Sequence, residues 1–264
     1  MPSRFEPYRR SRARMKAPPP LVTRTGLGVY LLLAGLMVFI DPGNRLLYAI
    51  FLGIMALKLL APVVSAASRT MTGVGADVRY LTGFLLPHAP SLALVGFLDI
   101  PLADIPVAVA MLPLGALLFL GINANTVRQH FDLDFMRLLP AKSASRFALD
   151  NGAIVLSAIG QELLHRGLIL LIVMPYGPVA CAMASTATFV LEHVMNRWSA
   201  RDFDRRAYLS HVVISILATV LVFTFGGVLP AIGLHLGYNI VIVVKDSLHL
   251  AVARQAARAN EVGL

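Results

Sequence analysis

Long apolar runs broken by short polar stretches repeat along the whole chain. Eight apolar segments stand out, at about 26–40, 46–66, 81–98, 104–122, 149–173, 178–195, 208–226 and 231–249. A run of about 20 apolar residues is what an α-helix needs to cross a hydrocarbon core of ~30 Å. Helices also satisfy their own backbone polar groups, as a span in lipid must. The pattern therefore predicts an all-α, polytopic transmembrane helical bundle of about eight spans. It divides the chain into a disordered basic tail (1–25), four N-terminal spans (26–122), a linker (123–147), a core of four further spans (148–250) and a second tail (251–264). In the linker, Val127, Phe131, Phe135 and Leu138 recur at helical spacing, opposite Arg128, Asp132 and Asp134. That pattern predicts one amphipathic helix lying at the membrane surface.

Composition agrees with this reading. The 264 residues are 57% hydrophobic and 14% charged, whereas soluble domains carry about 25% charged residues. Cys181 is the single cysteine, so neither an internal disulfide nor a thiolate metal cluster is available. The net charge of +9 taken alone suggests nucleic acid, but its placement argues for topology. Alternating the loops between two sides puts 20 of the 23 Lys and Arg on one side. The positive-inside rule makes that side cytoplasmic, with both termini there. Anionic lipid, and no nucleic acid, is then the expected partner of the basic loops. The run at 26–40 is followed by Asp41-Pro42-Gly43 and by no small-residue cleavage site. It reads as a retained span, not a signal peptide.

The polar residues inside the spans are unevenly spread. The first four hold little besides Lys58 and His88. The fifth carries Asp150, Asn151, Gln161, Glu162, His165 and Arg166, the sixth Glu192, His193 and Asn196, and the eighth His235 and Asn239, while the seventh has hydroxyls and His211. Ionisable groups in lipid are costly and mark function by default. Glu162 and Arg166 stand at i and i+4, one above the other, and can neutralise each other. His235 and Asn239 share the same spacing, and Gly237 between them permits close backbone approach. An imidazole and an amide on one face can both donate hydrogen bonds to developing negative charge. The bland alternative is a set of buried braces and packing histidines.

Three pieces of this pattern, Gln161-Glu162-Leu163-Leu164-His165-Arg166-Gly167, Phe189-Val190-Leu191-Glu192-His193 and His235-Leu236-Gly237-Tyr238-Asn239, resemble in order and spacing the motifs of the CAAX protease and bacteriocin-processing (CPBP, or Abi) family of intramembrane endopeptidases. The resemblance covers roughly 148–246. It implies a helical bundle with a water-accessible cavity, in which a glutamate and the first histidine activate a water. The second histidine and the asparagine stabilise the oxyanion. Matched by position, Gln161, Glu162, Arg166, His193, His235 and Asn239 are the candidate catalytic residues. Arg166 would hold the acid, His193 the water, and His235 with Asn239 the oxyanion.

Two positions depart from that family's pattern. Gln161 stands where the family has the first glutamate, its usual base, and an amide cannot take up a proton. Glu162 is the neighbouring carboxylate, but it points about 100° away around a regular helix. It can serve only where the helix is rotated or distorted. His165 stands where the family favours an aromatic or aliphatic residue. With Glu162 it makes a Glu-x-x-His, the spacing of di-metal carboxylate bundles, but no second copy follows. No cofactor is therefore expected, with a divalent metal such as zinc as the alternative. A geometric tension also arises. His193 lies four residues from Arg197, about 6 Å along a helix, while Glu162 would lie about 20 Å deep in a straight one. Gly226-Gly227 and Pro230 are expected to form a re-entrant turn that lowers His235 toward the others. A cavity open to the cytoplasmic side is expected there.

The sequence thus predicts an intramembrane endopeptidase acting on a membrane-bound or lipid-linked protein or peptide in a bacterial inner membrane. The alternative is a non-catalytic membrane adaptor or scaffold on the same fold, which Gln161 favours. A transporter built on internal repeats lacks support, since no repeat is visible.

Overall fold

The computed structural model describes residues 41–66, 88–137, 139, 142–195 and 205–261, together with Gly28, Leu32, Leu36, Gly75 and Val78. The basic tail, most of the expected span at 26–40, the loops at 67–80 and 196–204, and Asn196 and Arg197 lie outside the described residues or largely so. The described residues form helices and turns with no strand among them.

The first long helix, α1, is Arg45–Ala66, preceded by a 3-10 turn at Pro42–Asn44. Asp41 anchors that turn. Its carboxylate accepts from Asn44 Nδ2 at 2.7 Å and from Tyr48 Oη at 3.2 Å, and the Asn44 bond above all holds its pKa below the usual aspartate value. A short helix, α2, follows at Ala89–Ala93, and then α3 at Ile105–Ile122. The described part of the expected third segment is thus a short helix and a 3-10 turn at Leu94–Gly96.

The linker departs from its expected form. It contains two short helices, α4 at Ala124–His130 and α5 at Leu133–Arg137, where the periodicity predicts one. Asp132 makes the break. Its Oδ1 accepts from the backbone N–H groups of Asp134 and Phe135 at 3.0 and 3.1 Å, satisfying donors that start a new helix. Phe135 and Met136 are buried, so this face is covered by protein.

The core begins at α6, Ala144–Glu162, capped by Ser143, whose side chain accepts from Arg146 N. It continues without a break through a π-helical turn at Leu163–Leu168 into α7, Ile169–Val173. A turn at Gly177, with φ of 89°, leads to α8, Pro178–Met195. Then come α9, Arg205–Phe225, and α10, Leu229–Glu261. The turn between them places Gly226 at φ 79°, a conformation that glycine adopts without strain.

Four described helical stretches are long and apolar enough to cross a membrane: Leu102–Ile122, Ala144–Tyr176, Tyr208–Phe225 and Leu229–Gln255. They coincide with four of the eight expected segments. The chain is an integral membrane protein. Helices α3 and α10 pack backbone to backbone, because glycines line the seam. A Cβ on Gly115 would strike the backbone of Leu234 and Tyr238, one on Gly233 that of Ala108, and one on Gly237 that of Leu112. Small residues are what let two helices approach so closely in lipid.

At one end of the core, Lys142 ties three elements together. Its Nζ is 2.8 Å from Asp150 on α6 and 2.8 Å from Asp246 on α10. Burial opposes the charge on Lys142, but the bonds to Asp150 and Asp246 outweigh it and raise the pKa. Its contribution to stability is therefore present below the usual lysine pKa of about 10.4 and lost as pH rises through the raised folded value. Lys142→Ala is expected to lower thermal stability in detergent by on the order of 1 kcal/mol, the scale of a partly exposed pair or two. An unchanged melting temperature would show the clamp to be idle.

Candidate active site

The π-helical turn sits directly after Glu162 and holds His165 and Arg166. Such turns are rare and frequent at functional sites. This one follows Gln161 and Glu162 on the same continuous helix. All four side chains are buried.

Glu162 Oε1 accepts from His235 Nδ1 at 2.6 Å and from an Arg166 guanidinium N–H at 3.2 Å. Glu162 is 0% and Arg166 2% exposed. Glu162 Oε2 and two further guanidinium nitrogens of Arg166 are buried without a hydrogen-bond partner. A buried ion pair is tolerated when its geometry is good and its remaining groups find partners. Oε2 is thus the oxygen of this pair that no neighbouring side chain engages. The guanidinium also lies 4.5 Å over the Phe189 ring, a cation–π contact.

A second carboxylate, Glu192, stands one helix away on α8. Its Oε1 accepts from Lys58 Nζ at 2.8 Å and Gln161 Nε2 at 2.9 Å, and its Oε2 from His165 Nε2 at 2.7 Å. His165 Nδ1 lies 2.9 Å from the Thr188 hydroxyl. Lys58 comes from α1 and also meets His88 Nδ1 at 3.4 Å. Lys58 and His88, isolated in the sequence, are therefore joined to this cluster.

His193 on α8 donates from Nδ1 to the Phe189 carbonyl at 2.8 Å, and its Nε2 is 3.5 Å from Gln161 Nε2. The depth difference computed for straight, upright helices disappears because α6 and α8 meet at this point. Phe189 is the hub: the rings of His193, His165, His235 and His211 lie 4.4, 5.5, 5.7 and 5.8 Å from its own. His211 on α9 is 4.2 Å from His193.

Of the candidates, Gln161, Glu162, Arg166, His193 and His235 converge. Asn239 lies one turn beyond His235 on the same helix and is half-buried. Glu162 and His165 turn to different partners, so the Glu-x-x-His spacing does not form a shared site. Among the described residues, no group of three or more His, Cys, Asp or Glu is arranged to hold a metal ion.

Residues 147–241 match the family model described as Rce1-like, type II CAAX prenyl endopeptidase Rce1-like. That model belongs to the CPBP family, whose motifs the segment resembles. The segment contains Glu162, His193, His235 and the π-helical turn, while Lys58 and His88 come from outside it. No curated protein and no solved structure matches the chain.

The loops at 67–80 and 196–204, which would border the expected cytoplasmic cavity, lie outside the described residues or largely so. The side chains that converge are no more than 8% exposed. A groove of about 900 Å³ lies between α8 and α9, lined by residues such as Val179, Met183, Val190, Ile216 and Phe223. It is apolar and includes none of the candidate residues. Among the described residues, the rings packed around Phe189 fill the space between the converging side chains.

Sequence reading missed Lys58 and the role of Glu192. A single lysine mid-span was the available signal, since an intramembrane cation demands a partner.

Proposed function

We propose that this chain hydrolyses a peptide bond in a membrane-associated or lipid-linked protein or peptide. The observation that carries the reading is the buried Glu162–His235 pair, held by Arg166, with one carboxylate oxygen left unpartnered. Glu162 Oε2 takes a proton from water. The water oxygen adds to the scissile carbonyl carbon, and His193 Nε2 helps orient it. The negative carbonyl oxygen is met by the Asn239 amide N–H groups. His235, one turn before Asn239 on α10, is the second member of that oxyanion site. The proton on Glu162 then passes to the leaving nitrogen as the C–N bond breaks. This is one carboxylate for proton transfer and fixed donors for developing charge.

Because the converging side chains are buried, a substrate reaches them only when helices part around Phe189. The basic-loop asymmetry supports cytoplasmic termini with anionic lipid at that face, and the Ala- and Arg-rich usage and short loops fit a bacterial inner membrane.

The test is a terminal-peptide survey of membranes from cells expressing the native chain, Glu162→Ala or His193→Ala. The expected result is a set of new protein termini with the native chain that both variants lose. Termini that persist in both variants would remove the chemistry from this site. Identical surveys with and without the native chain would favour the adaptor reading.

A further inference from the structure

The two positions that depart from the CPBP pattern touch the same residue. Gln161 and His165 both donate to Glu192, and so does Lys58, at 2.9, 2.7 and 2.8 Å. Three donors on one carboxylate leave it no free role as a base. They do explain the amide at 161. A carboxylate there would face Glu192 within hydrogen-bond distance, and two carboxylates so close cannot both ionise. Glutamine instead supplies an N–H.

The buried charges also balance. Glu162 has Arg166, and Glu192 has Lys58, with side-chain exposures between 0 and 5%. A third carboxylate at 161 would have no cation, and a buried unpaired charge is strongly disfavoured. Moreover, Gln161 Nε2 lies between Glu192 Oε1 and His193 Nε2, at 2.9 and 3.5 Å. With Nδ1–H of His193 given to Phe189, its Nε2 lone pair faces this amide.

From this we infer that Glu192 is the second carboxylate of the site, transferred from position 161 to the neighbouring helix. Lys58 of α1 is its counter-ion, and Gln161 relays its position to His193. Glu192, Gln161, His165 and Lys58 are positioning residues, and α1 is part of the active centre although it lies outside the family-matched segment. The inference rests on the proposed hydrolysis only for its effect on catalysis; the charge placement stands independently.

The experiment is a charge exchange in the full chain: Gln161→Glu, Glu192→Gln and the double variant, each followed by melting temperature in detergent and by abundance of the new termini. Each single variant is expected to melt lower and to cut about 10–100-fold less, the range for partners that orient reacting groups. The double variant is expected to regain much of both, since it restores one carboxylate, one amide and one lysine. Losses that add in the double variant would overturn the inference. So would Gln161→Glu cutting better than the native chain at unchanged stability, because position 161 would then be only a disabled base. If the single variants fail to fold, recovery of folded double variant supports the exchange and its absence rejects it. If no variant yields termini, the melting temperatures still decide the charge placement, separately from the fate of the hydrolytic reading.

Discussion

Glu162→Gln is expected to reduce cleavage by about 10²–10⁴-fold, the usual cost of removing a general base. The amide keeps the shape of the side chain but cannot hold the water's proton. The same change also leaves Arg166 buried without its carboxylate, and breaking such a pair costs about 3–5 kcal/mol. A loss of activity could then be a loss of folding alone. The pair must therefore be removed together. Glu162→Gln with Arg166→Met replaces the pair with neutral groups of similar volume, an exchange that is often neutral or stabilising. The expected outcome is a melting temperature near native with cleavage still lost. Cleavage returning together with stability would mean that Glu162 is a brace and that the proton goes elsewhere.

The pairing of Glu162 with His235 gives that prediction its weight. At 2.6 Å from Oε1, the Nδ1 proton fixes the imidazole ring against α6. Oε1 is thereby engaged twice, by His235 and Arg166, and Oε2 is left. Glu192 is the opposite case, with both oxygens taken up by donors. Two buried carboxylates in one site thus differ in what their neighbours leave free: Glu162 Oε2 has no hydrogen-bond partner, whereas each oxygen of Glu192 has at least one.

The sequence made the architecture legible where lipid imposes it. Runs such as 104–122 and 208–226 can be little other than spanning helices, and they fall within a few residues of the observed ones. The converging residues were also readable, because polar groups in lipid have to find one another. The local helix geometry was not. A π-helical turn at Leu163–Leu168 leaves no periodic trace in a run where nearly every residue is apolar or buried. Yet that turn follows Glu162 directly and carries His165 and Arg166. The break at Asp132 was hidden in a similar way, since the apolar spacing carried on across a capping residue. Lys58 lies more than a hundred residues from Glu192, so only the tertiary fold pairs them. The burial of the converging side chains reflects packing around Phe189, which no spacing records.

Gly237→Ala is expected to disable the protein through its fold, by the addition of a single methyl group. The new Cβ would meet the carbonyl of Leu112 on α3, and backbone cannot rotate aside as a side chain can. Overpacking costs typically 1–3 kcal/mol where side chains can adjust, so a loss of about 3 kcal/mol or more is expected here. The consequence reaches the site directly. His235 sits between Gly233 and Gly237, so pushing α10 off α3 moves the imidazole relative to Glu162 on α6. Cleavage should fall along with the melting temperature. Gly152→Ala is the control. It too is a helical glycine in a spanning segment, but nothing lies within 4 Å of its added Cβ. Replacing such a glycine stabilises by about 0.4–1 kcal/mol where the backbone already suits alanine. Thermal melts of the two variants in the same detergent compare them directly. Equal behaviour would show that the α3–α10 seam is looser than its glycines imply, and that His235 owes its position to Glu162 alone.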